Sequence, residues 1–195
     1  MTNMMDSFMH CWKKFKLWLA LSLLVLSSSG WAATEGIQIK SAELRLADDV
    51  YYLHAQMLVT PNPTMEEALR KGVSLYFVTE FELKRPRWYW LNEDIATYSR
   101  VSRLSYNALL RQYVVSGVNI HAHSVDKLED ALMVLGEVSA VPIITRNELT
   151  QQAIYSAKLT MRLDTTQLPK PLQINALATG KWDLEATPMV WTFKP

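Results

Sequence analysis

The chain has a single cysteine, Cys11, in 195 residues, and that residue precedes the longest apolar run. One cysteine excludes a disulfide framework, so no disulfide partner is expected. Six glycines leave no room for a glycine-rich phosphate loop, and none is present. Charge of either sign is not in excess: 20 Lys and Arg face 19 Asp and Glu, a net of +1. The basic footprint of a nucleic-acid binder is missing, and no nucleic-acid partner is expected. There is no Gly-x-Ser-x-Gly elbow, no His-Glu-x-x-His helix, no internal repeat and no low-complexity segment.

What is present begins with a leader. Lys13, Lys14 and Lys16 precede Leu17–Leu26, a run without charge, and Ser27, Ser28, Ser29 and Gly30 follow it. A basic start, a short apolar stretch and a small-residue exit form the pattern of a secretory signal peptide. Spanning a bilayer takes about 20 apolar residues, and this run is about half that. Residues 1–32 are therefore expected to form a cleaved signal helix, with small Gly30 and Ala32 at the exit, leaving residues 33–195 as one exported, periplasmic domain. The alternative is an inner-membrane anchor over residues 17–33, because Trp31, Ala32 and Ala33 extend the apolar stretch. Cleavage removes Cys11, and with it any thiol nucleophile or thiolate metal site. It also removes Lys13, Lys14, Lys16 and Asp6, which turns the net charge from +1 to −1.

Beyond the leader, two-residue alternation dominates. Ile37, Ile39, Ala42, Leu44 and Leu46 alternate with one slip near Lys40 and Ser41, and Tyr51, Leu53, Ala55, Met57 and Val59 return after Asp48-Asp49. This predicts a strand pair with a tight turn. Val73, Leu75, Phe77, Thr79, Phe81 and Leu83 predict a strand with one buried face and a wetter face carrying Glu80, Glu82 and Lys84. A further pair flanks Asn107, and runs at 153–163, around Trp182 and at 190–193 complete the set. Two helices are expected: one opened by a capping box at Thr64 and Glu67 and closed by Gly72, the other running from Ser124 to Gly136. The seven prolines from Pro61 to Pro188 are read as joints between elements. The expected fold is mainly β, an antiparallel β-sandwich with two short helices.

The least ordinary stretch is Lys84-Arg85-Pro86-Arg87-Trp88-Tyr89-Trp90, three cations against three large aromatics, followed by Glu93 and Asp94. As a binding segment, its aromatics suit a protein partner or a membrane face, and its arginines suit carboxylate or phosphate. As packing, Trp88 and Trp90 would point inward while Arg85 and Arg87 pair with Glu80, Glu82, Glu93 or Asp94. Alternation, which puts Trp88 and Trp90 on one face, favours packing. His121-Ala122-His123 places two imidazoles on one side of a strand, but no third ligand stands at a recognisable spacing, so no metal and no cofactor are expected. Glu80 and Glu82 share a strand face, as a general acid–base pair or a solvated surface would.

The stretch Gly72–Trp90, with Tyr106-Asn107-Ala108-Leu109, Val141-Pro142-Ile143, Arg162-Leu163-Asp164, Leu168-Pro169-Lys170-Pro171-Leu172 and the final Trp182 and Trp191, resembles the domain-of-unknown-function family numbered 4390. The resemblance implies an exported bacterial protein and carries no catalytic residue. The function expected is a non-enzymatic binding or accessory domain of the envelope, with Arg85, Arg87, Trp88, Tyr89 and Trp90 as its contact segment. The alternative is a binder of small molecules, glycans or lipids, or an envelope enzyme, which needs a concave pocket between the sheets.

Overall fold

The computed structural model describes residues 35–89, 91–118 and 120–195. The expected leader, whether cleaved or anchoring, lies outside the described residues. Among the described residues the fold is mainly β, with two antiparallel sheets and three helices.

β1 (Gly36–Ala47) and β2 (Val50–Thr60) form the expected hairpin. Asp48 and Asp49 hold φ of 49° and 61°, the left-handed pair that a two-residue hairpin turn of type I′ requires. The slip in alternation is a bulge between Ile39 and Ser41. β7 (Glu137–Thr145) pairs with the other side of β2 and completes a three-stranded sheet in the order β1-β2-β7. Pro142 lies inside β7 rather than at a joint. It is tolerated because β7 is an edge strand, where a missing N–H costs no ladder bond.

The second sheet runs β6-β5-β4-β3-β8-β9. β3 (Leu75–Arg85) sits between β4 (Glu93–Asn107) and β8 (Tyr155–Leu163). Flanked on both sides, it buries Leu75, Phe77, Thr79, Phe81 and Leu83 completely. β5 (Gln112–Gly117) and β6 (Ile120–Val125) extend one side, and β9 (Met189–Phe193) the other. Residues from both sheets and the helices share one hydrophobic cluster that includes Leu53, Phe77, Phe81, Leu135, Tyr155 and Trp182. Each large apolar side chain so buried contributes about 1.5–3 kcal/mol against exposure.

The helices differ from expectation in number and in both starting points. α1 (Pro63–Arg70) is capped by Asn62, whose Oδ1 accepts the Met65 N–H at 3.0 Å; Thr64 lies inside the first turn. Pro63 takes the first helical position, where its missing N–H is harmless. α2 (Leu128–Gly136) begins four residues after the expected Ser124 cap, because Ser124 pairs with Val114 in the β5–β6 ladder. α3 (Lys170–Thr179) is a third helix, absent from the alternation pattern, opened by Pro169 and Pro171 and closed by Gly180 at φ 63°. None of the helices among the described residues is long and apolar enough to cross a membrane.

The two sheets are stitched on one side. Leu163 N–H donates to Leu184 O and Ala186 N–H to Met161 O, each at 2.8 Å, while Ala186 also bridges to Ile37 of β1. On the other side no ladder joins them among the described residues: Glu93–Val101 of β4 pair with β3 alone, and β7 pairs with β2 alone.

Candidate functional site

The basic-aromatic stretch is the tip of the β3–β4 hairpin. Strand pairing runs to Arg85 opposite Glu93, and the chain then leaves the sheet at Pro86. Because the ladder stops there, alternation no longer fixes which way the aromatics point. Trp88 is 94% exposed, Tyr89 65% and Leu91 80%. The packing reading of Trp88 is therefore corrected: the ring lies outside the core and meets the Tyr89 ring edge-on at 5.1 Å. Trp90 lies outside the described residues.

The arginines behave as that packing reading expected. Arg85 donates through Nε to Glu93 Oε2 at 2.8 Å and through Nη2 to the same oxygen, and its Nη1 reaches Thr150 Oγ1 at 3.2 Å. Arg87 Nη2 pairs with Glu93 Oε2 at 2.5 Å. Lys84 Nζ holds Glu82 at 3.1 Å and Asp94 at 3.3 Å. Hydrogen bonds from Arg87 and Arg85 hold the Glu93 carboxyl below its ordinary pKa, and those to Glu82 and Asp94 raise Lys84. The three cations at the base of the tip thus face three carboxylates, and little charge is left for an outside anion. What the tip offers is aromatic and aliphatic surface on an ion-paired stem. Leu91 belongs to that surface and was not singled out by the sequence, because it lies past the aromatic run. At the far end of β4, Leu109 is 95% exposed on the turn to β5, held by Asn107 Oδ1 accepting from the Leu109 and Leu110 N–H groups.

His121 and His123 are exposed on the edge strand β6, and no group of three metal-ligating side chains gathers among the described residues. Glu80 and Glu82 are half-buried on a sheet face and face cations, Arg162 at 3.8 Å and Lys84.

A cleft of about 600 Å³ opens between β4 and β7, lined by Tyr98, Arg100, Val101, Ala140 and Pro142 among others. Arg100 reaches across it, donating to Glu137 O at 2.9 Å and Leu135 O at 3.2 Å, which satisfies carbonyls at the end of α2. Its Nε is buried without a partner. Burial lowers the pKa of this guanidinium and raises that of the Tyr98 hydroxyl.

Among the described residues, two antiparallel sheets share one hydrophobic cluster, with an exposed aromatic tip and an open seam, and the fold is mainly β. The family model described as domain of unknown function DUF4390 matches residues 34–192, and the chain belongs to that family. No curated protein and no solved structure matches the chain.

Proposed function

We propose that the chain is a non-enzymatic binding or accessory domain of the bacterial envelope, docking on a partner protein through the tip of the β3–β4 hairpin. The observation that carries the reading is Trp88: a tryptophan 94% exposed, beside exposed Tyr89 and Leu91, on a stem braced by Arg85, Arg87 and Glu93. Isolated exposed apolar residues are common, but a cluster of this kind on an ion-paired hairpin has the composition of a binding hot spot. The neutralised stem favours an aromatic contact over capture of a phosphate or an anionic headgroup. The basic start and short apolar run of residues 13–26 support export. The shared core supports reading the two sheets as layers of a β-sandwich. The test is the double variant Trp88→Ala with Tyr89→Ala. It is expected to abolish recovery of the partner after crosslinking in intact cells while leaving stability within about 0.5 kcal/mol, as for surface changes. A loss of folding, or unchanged recovery, would overturn the reading.

A further inference from the structure

The seam between the sheets is a second candidate contact surface, apart from the hairpin tip. Ordered by contact, the strands run β7-β2-β1, then the Leu184–Ala186 stitch, then β8-β3-β4. The circuit stays open between β4 and β7, which approach each other without forming a ladder. Among the described residues, Glu93–Val101 of β4 on one wall have ladder partners only in β3, and on the other the outer edge of β7 has none. Unpaired strand edges present rows of backbone N–H and C=O groups, which proteins ordinarily cover or blunt. β7 is blunted by Pro142 and by its register shifts opposite β2, but β4 carries neither device along Tyr98–Val101. The cleft wall also holds Ala140 at φ 52°, a left-handed conformation that costs free energy in a residue with a Cβ.

The chemistry of the cleft is lopsided. Val101, Ala140, Val141 and Pro142 make much of it apolar, and among the described residues Arg100 is the one charged side chain lining it. Among the described residues no carboxylate lies within salt-bridge distance of Arg100. The nearby Glu137 carboxylate instead accepts from Ser139 Oγ at 2.6 Å. The Glu137 carboxylate acts on this guanidinium only from beyond ion-pair distance, the guanidinium's hydrogen bonds go to carbonyl oxygens and its Nε has none, so a carboxylate in direct contact would complete the arrangement. Among the described residues no histidine or carboxylate lines the cleft, and what its apolar walls and Arg100 offer is recognition.

We infer that the β4–β7 cleft takes an extended peptide segment, apolar along its length with one carboxylate side chain, which adds as a strand to the free edge of β4 and meets Arg100. Backbone hydrogen bonds supply the affinity and Arg100 the register, as in other strand-addition interfaces. This surface is separate from the hairpin tip, and either can fail without the other.

The test uses the full chain and three fluorescent heptapeptides: Val-Thr-Val-Glu-Val-Thr-Val, the same peptide with Lys for Glu, and the Glu peptide N-methylated at alternate amides. Fluorescence anisotropy is expected to show binding of the Glu peptide and at least about tenfold weaker binding of the other two. Arg100→Gln is expected to weaken the Glu peptide by a similar factor. Because Arg100 also serves the end of α2, a second variant, Ser99→Trp, fills the cleft from its exposed rim and is expected to abolish binding with an unchanged melting curve. Equal binding of all three peptides, binding that survives Ser99→Trp, or no binding of the Glu peptide overturns the inference. So does a concentration-dependent dimer that excludes the Glu peptide, which would make a second copy of the chain the occupant.

Discussion

Arg85 and Glu93 stand directly opposite each other across the last rung of the β3–β4 ladder, and the Glu93 carboxylate also receives Arg87 from beyond that rung. One acidic side chain therefore ties the final strand residue and the departing loop together. The Glu93 carboxyl is held below its ordinary value by those two arginines. A carboxyl with a depressed folded pKa stabilises the fold above its unfolded pKa, and that contribution is lost as pH falls through the lower, folded value. Acidification is therefore expected to loosen the tip only below the ordinary carboxylate range. A carboxyl-carbon NMR titration checks this: Glu93 should titrate below the value of a free glutamate, and Glu93→Gln should broaden the Trp88 signals at neutral pH. An ordinary Glu93 titration would contradict the account.

The start of α1 separates two neighbouring residues. Asn62 both caps the helix and donates through Nδ2 to Lys181 O at 2.6 Å. Asn62→Ala is expected to cost about 1 kcal/mol or somewhat more in urea unfolding, the usual effect of losing a cap. Thr64→Ala is expected to stay within about 0.5 kcal/mol. Reversal of that order would place the cap at Thr64.

Thr79 is wholly buried on β3 and its hydroxyl has no partner. Thr79→Val keeps the shape and removes an unsatisfied polar group, so it is expected to stabilise the chain by about 1 kcal/mol or more in the same assay. A destabilised variant would mean that the hydroxyl is satisfied in solution.

Gly136, the last residue of α2, is buried against β2. A Cβ there would run into the Met57 carbonyl oxygen, which is backbone and has little freedom to move. Gly136→Ala is expected to cost about 1–3 kcal/mol, the range for overpacking a core, read as a lowered melting temperature.

Much of this architecture was legible in residue pattern, and the exceptions have physical reasons. Ile37–Val59 alternate because one face of that hairpin packs on the core, and the bulge at Ile39–Ser41 is written as the one break in that alternation. Asn62 was masked by Thr64 and Glu67, which also spell a capping box; Pro63, suited to a first helical position, was the signal that separates them. Ser124 resembles a helix cap in isolation, but its pairing with Val114 is a long-range contact that local spacing does not encode. α3 shows little amphipathic period because none of its side chains is fully buried; Pro171 and Gly180, near its two ends, were the readable marks. At the candidate site, pairing of Arg85 and Arg87 with a nearby carboxylate followed from composition. The outward course of Trp88 did not, because alternation carries information only while the strand is paired, and pairing ends at Arg85. The β4–β7 seam was invisible in sequence, since it arises from strand order.

The most direct measurement places a photocrosslinking amino acid at position 88 in intact cells and, as a control, at Leu177, which is comparably exposed on α3. The account predicts one discrete adduct from position 88 that is absent from position 177. Equal labelling at both positions, or none at position 88, would contradict the tip of the β3–β4 hairpin as the contact surface.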